Sequence, residues 1–153
     1  MVTDEARIPL TPKLIGALYT EAMLLADEAR AYFDRHSREE REALDPLLRV
    51  GFSCESLKVT TRLMHVIAWL LTQRAVEAGE LTPAQARRPS RRIGDEPASD
   101  ETLVAKLPQS ARELIGASRE LYARIQRLDG HGVSAEPQQS PARGLQSRLE
   151  RSF

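Results

Sequence analysis

Three dipeptides set the frame of this chain: Thr11-Pro12, Asp45-Pro46 and Thr82-Pro83. A Thr or Asp oxygen at the N-cap accepts a hydrogen bond from an amide that the first helical turn leaves unpaired. Pro at the next position lacks an amide that would have had no partner anyway. No other proline falls between Pro12 and Pro46, between Pro46 and Pro83, or between Pro108 and Pro137. This punctuation predicts long helices over about 12–36, 46–78 and 108–129. Gly79 and Gly130 are the expected C-terminal caps, and Gly51 is a point where the second helix bends. Ser37-Arg38-Glu39-Glu40 reads as a capping box that starts a short helix leading to Leu44, and another helix starts after Thr82.

Placing residues at ~100° per position gives each long segment a face. In the first, Leu14, Ile15, Leu18, Ala22, Leu25, Ala29, Tyr32 and Phe33 share one broad side, with Met23 and Leu24 outside it. In the third, Leu114, Ile115, Ser118, Leu121, Tyr122, Ile125 and Leu128 form a stripe opposite Arg112, Glu113, Glu120, Arg124 and Arg127. The middle segment carries two adjacent stripes. One holds Leu48, Phe52, Val59, Leu63, Val66 and Leu70; the other holds Leu57, Met64, Ile67 and Leu71. A helix apolar on two sides calls for two partners. The expected fold is all-α: an antiparallel three-helix bundle with the longest helix central.

Residues 1–11 are expected to form a flexible N-terminus, residues 12–130 the bundle with a linker at about 84–104, and residues 131–153 a disordered tail. The linker reads Arg87-Arg88-Pro89-Ser90-Arg91-Arg92 followed by Asp95, Glu96, Asp100 and Glu101, a solvated stretch that neutralises itself. The whole chain balances 22 basic against 22 acidic residues, which argues against nucleic-acid or anionic-membrane binding. Leu, Ile, Val and Phe number 36 of 153 residues, enough for a real core. The longest apolar stretch, Leu63 to Leu71, is far short of the ~20 residues of a membrane span. The expectation is a reduced, cytoplasmic protein.

Catalytic signatures are missing. His36, His65 and His131 form no i, i+4 pair and no Glu-x-x-His motif, so neither a metal nor another cofactor is expected. Cys54, the only cysteine, excludes an intramolecular disulfide and reads as a small packing residue. No Gly-rich phosphate loop and no G-x-S-x-G occurs, and the chain is not expected to be an enzyme. An excess remains on the middle helix, where Lys58, Arg62, His65 and Trp69 gather on the expected outer face. Trp and Arg are enriched where proteins meet, which makes these four the candidate protein-contact surface. Two other readings stand beside it: Trp69 packs under a short helix, or the long helix pairs with a second copy.

The run Phe52-Ser53-Cys54-Glu55-Ser56-Leu57-Lys58-Val59-Thr60-Thr61-Arg62-Leu63-Met64-His65-Val66-Ile67-Ala68-Trp69-Leu70-Leu71-Thr72-Gln73-Arg74-Ala75-Val76-Glu77-Ala78-Gly79-Glu80 resembles the central helix of the RcdA family, regulators of CtrA degradation in alphaproteobacteria. Leu14–Phe33 and Leu107–Asp129 are similar to that family's flanking helices. The resemblance implies a homodimer-forming three-helix bundle that acts as an adaptor. In that role it would bring cargo such as a CtrA-like regulator to the ClpXP protease. A CpdR-like response regulator and a cyclic-di-GMP effector protein would take part, in cell-cycle-regulated proteolysis, with the cell pole as a candidate place. The rival expectation is a dimeric helical scaffold or transcription-associated protein without a protease link.

Overall fold

In the computed structural model, which describes residues 10–134, the N-cap oxygens do what the sequence demands. Thr11 Oγ1 accepts from the Leu14 amide at 3.1 Å and starts α1 (Pro12–Ala31). Asp45 Oδ1 accepts from the Leu48 amide at 2.9 Å and starts the 32-residue α3 (Pro46–Glu77). At its far end the Glu80 amide bonds the Ala75 carbonyl and the Gly79 amide bonds Val76. This double closure needs Gly79 at a φ of +79°. The reciprocal capping box of the chain is Thr82 with Gln85, opening α4 (Pro83–Ala86). A 3-10 turn (Pro89–Arg91), α5 (Glu101–Val104) and α6 (Gln109–Ser134) complete the order, and no strand occurs among the described residues.

The first helix departs from its expected end. After Ala31 the chain widens into a π turn over Tyr32–His36, where Phe33 is buried and stacks edge-on with Tyr32 and Phe52 at 5.0 and 5.4 Å. Ser37 does not cap α2 (Arg38–Glu42). It is fully buried, and its hydroxyl donates instead to the Phe33 carbonyl at 3.0 Å, while Glu40 accepts from the Tyr32 hydroxyl. A buried hydroxyl takes the nearest orphan carbonyl, and here the π turn supplies one.

Cross-helix contacts give the topology. Arg74 lies over the Tyr19 ring and Phe33 meets Phe52, so α1 runs antiparallel to α3, as expected. It also runs antiparallel to α6, pairing Glu21 with Arg124. But α3 and α6 are parallel: Arg62 meets Ser118 and Trp69 meets Asp129. The expected antiparallel linkage fails here because residues 78–108 are not a slack linker. They return along the bundle as a strap, without regular secondary structure over 93–100, until Leu103 lies against Gly51. A Cβ on Gly51 would stand 2.6 Å from Leu103 Cδ1, so this glycine makes room for α5 and does not bend α3.

The core follows the predicted faces of α1 and α6, and one stripe of α3. Ile15, Leu18, Ala22, Phe52, Val59, Leu63, Val66, Leu70, Leu121, Tyr122 and Ile125 are all buried. Two further expectations change. Leu10, assigned to a flexible N-terminus, packs against the core. Gly130 does not end α6, which continues to Ser134; a helical glycine costs only about 1 kcal/mol against Ala, and the turns before it are anchored through Leu128. The tail beyond 134 and residues 1–9 lie outside the described residues.

Replacing Gly79 by Ala forces a Cβ into the left-handed region. It should destabilise the fold by about 1 kcal/mol, a loss of about 2–4 °C in thermal melting. An unchanged Tm would mean that the α3 terminus does not need this closure.

Candidate protein-contact surface

The four candidate residues on α3 do not share a surface. Arg62 is 0% exposed and Trp69 3% exposed, which removes both from the outer face assigned to them. Lys58 is half-buried and His65 exposed. The cause is the strap, which together with α6 covers this side of α3.

Arg62 is the centre of what the strap buries. Its Nη2 donates to the Pro97 carbonyl at 2.9 Å and to Ser99 Oγ at 2.8 Å, and its Nη1 donates to Ser118 Oγ at 3.3 Å. Its Nε lies 2.9 Å from Glu96 Oε2, an ion pair whose angle falls outside hydrogen-bond geometry. Ser99 donates onward to Glu55 at 2.6 Å, and Lys58 reaches the same carboxylate at 3.1 Å. Arg119 donates to Glu96 at 3.0 Å and also binds Glu101. Three cations thus face three carboxylates. Burial pulls the Arg62 guanidinium below its ordinary pKa while Glu96 and Glu55 push it back up. Further along, Tyr122 Oη sits 2.8 Å from the Ile93 carbonyl and 3.0 Å from that of Asp95. Burial, then Glu96 and Asp95, hold its phenol above the usual range and keep it a donor. Trp69 Nε1 donates to Asp129 at 3.0 Å, and Arg92 clamps the same carboxylate at 2.7 Å. Trp69 therefore packs beneath a connecting segment, here the strap and the end of α6.

The opposite side of α3 is the exposed one. Val50, Leu57, Met64 and Leu71 recur every seven residues and are 61%, 68%, 62% and 47% exposed. Ser53, Cys54, Thr60, Thr61 and Ala68 lie among them, and no charged residue interrupts the strip. Cys54, expected as packing, is exposed here because neither neighbouring helix covers this side. The second apolar stripe read from the sequence is thus real but not core, apart from the half-buried Ile67. At ~1.5 Å per residue it runs for about 30 Å. It borders a groove of about 400 Å³ between α1 and α3, floored by Phe33, Leu63 and Ile67 and rimmed by Met23, Asp27 and Asp34. An uncharged strip of exposed apolar residues of this length is a candidate contact surface.

Among the described residues no group of three or more His, Cys, Asp and Glu could hold a metal ion, and no helix is long and apolar enough to cross a membrane. Residues 7–153 match the family described as a protein of unknown function, DUF1465. The chain is similar to the crystal structure of RcdA from Caulobacter crescentus CB15, with 33% sequence identity and a TM-score of 0.60 over 83% of this chain and 93% of that one. No curated protein matches it.

Truncating Arg62 takes one cation from Glu96, removes the donors to the Pro97 carbonyl, Ser99 and Ser118, and opens a cavity. Arg62→Ala should cost about 3–5 kcal/mol in denaturant unfolding, and hydrogen exchange should speed up at the amides of residues 93–99. Stability within about 1 kcal/mol of the parent would show that the strap is held by other contacts.

Proposed function

We propose that this chain, which belongs to the RcdA family, is a non-enzymatic adaptor that binds client proteins and promotes their delivery to the ClpXP protease. The observation that carries this reading is the kinship, which extends over nearly the whole length of RcdA. The surface chemistry supports it: Val50, Leu57, Met64 and Leu71 form an exposed, uncharged strip along α3. An adaptor that holds a client and the protease machinery at once raises the local concentration of one at the other, so each separate contact can be weak. A CpdR-like response regulator is the proposed co-factor of delivery, and CtrA-like regulators, aided by a cyclic-di-GMP effector protein, are the proposed cargo. The place of action is the cytoplasm, at the cell pole, and the process is cell-cycle-regulated proteolysis.

The working form is a homodimer joined along the uncharged strip of α3. A seven-residue apolar recurrence is the pattern by which two helices pack along their lengths, and a two-fold pairing covers the same residues in both copies. Val50, Leu57, Met64 and Leu71 would be buried together.

Pull-down from an extract of an alphaproteobacterial cell, with the full chain as bait, should enrich the protease or its response regulator. Their repeated absence, with a different partner retained, would sink the adaptor reading in favour of a scaffold or transcription-associated role. In light scattering, the parent chain should run as a dimer and Leu57→Glu, a change at an exposed site, as a monomer. A parent that stays monomeric at high micromolar concentration would remove the dimer.

A further inference from the structure

The arginine run of the strap is not neutralised by the acids that follow it in sequence. Glu96 is taken by Arg62 and Arg119, Glu101 by Arg119, and Asp100 by the first amides of α5. Asp95 alone of the four makes no side-chain hydrogen bond or ion pair among the described residues, and it stands beyond Gly94, where φ is +76°. Within the run itself, Arg92 is held by Asp129. Arg88 and Arg91 are exposed and make no ion pair among the described residues.

Of these two, Arg91 lines a cleft of about 320 Å³ between α3 and the strap, and Arg88 stands outside it at the start of the same turn. Arg91 and His65 form its basic walls, Ser90 and Thr72 bring hydroxyls, and Trp69 with Ile93 makes an apolar floor. Arg88 is the N-cap of the same 3-10 turn. Because Asp129 grips both Trp69 and Arg92, the cleft is held in shape from below.

We propose that this cleft binds an acidic peptide segment of a partner protein. One carboxylate would lie against Arg91 in the cleft and a second against Arg88 at its margin, and an apolar side chain would lie over Ala68, the exposed apolar residue of the lining. Guanidinium forks suit carboxylates in geometry as well as charge. Nucleic acid is the poorer fit: the indole of the cleft, Trp69, is 3% exposed and offers no face on which a base could stack, which leaves the His65 imidazole alone for that role. The inference deepens the adaptor reading and rests on it for the partner being a protein.

The test uses the full-length chain and a fluorescein-labelled peptide of alternating Glu and Leu, followed by fluorescence anisotropy. Binding should weaken as salt rises, and the double variant Arg88→Ala/Arg91→Ala should weaken it about tenfold. Arg38→Ala, an exposed change on α2, should leave it unchanged, and circular dichroism should show all variants equally folded. No binding, equal binding by the double variant, or tighter binding of a mixed-sequence single-stranded oligonucleotide would overturn the proposal. Any of these alongside continued capture of the protease would leave the adaptor reading standing, and peptide binding without that capture would do the reverse.

Discussion

A single guanidinium ties the fold together. Arg62 projects from the middle of the longest helix and reaches the strap at Glu96, Pro97 and Ser99 and the last helix at Ser118. Isolated, such a charge would be intolerable in a protein interior, because the cost of leaving water is many kcal/mol. Surrounded by two carbonyl or hydroxyl partners on the strap, a serine on α6 and a carboxylate, it specifies where those elements must lie. An apolar residue at this position could fill the space, but it could not select one register of an extended strap over the next. The parallel course of α3 and α6 depends on that selection, since the strap is the crossover that joins them.

The two sides of α3 consequently differ in kind. One is polar in sequence and buried in fact; the other is apolar in sequence and exposed. Each inversion serves the other: the strap, by burying Glu55, Arg62 and Trp69, occupies the side where a third helix would otherwise pack, and Leu57, Met64 and Leu71 are left uncovered. The proposed adaptor role would use such an uncovered side.

Much of the fold was legible in the residues. Thr11, Asp45 and Thr82 announce their helices because capping is a local matter, settled within four residues. Gly79 is legible for the same reason. Ser37 was misread because its hydroxyl had a choice between an amide ahead and a carbonyl behind, and burial in the aromatic cluster decided it. The candidate surface was read least well. Periodicity reports which residues share a side of a helix, but not which side a partner covers. Arg62 and Trp69 sit on a shared side that looked outward only because the segment covering it is polar, irregular and distant in sequence. Charge balance misled in a related way: the acids beside Arg88 and Arg91 in sequence serve cations elsewhere in space.

The crossover also dictates an order of events during synthesis. The hairpin of α1 and α3 emerges from the ribosome before the strap residues that cover Arg62 and Glu55 have emerged, and it carries a charge site that is still open to water. Nothing can close that site until Glu96, Ser99 and Ser118 have been made, and Trp69 waits longer still, for Asp129. Docking of these late segments onto early ones joins contacts far apart in sequence, which slows closure and prolongs exposure of the nascent hairpin. The chain is therefore expected to pass through a vectorial intermediate whose completion coincides with emergence of the last turns of α6.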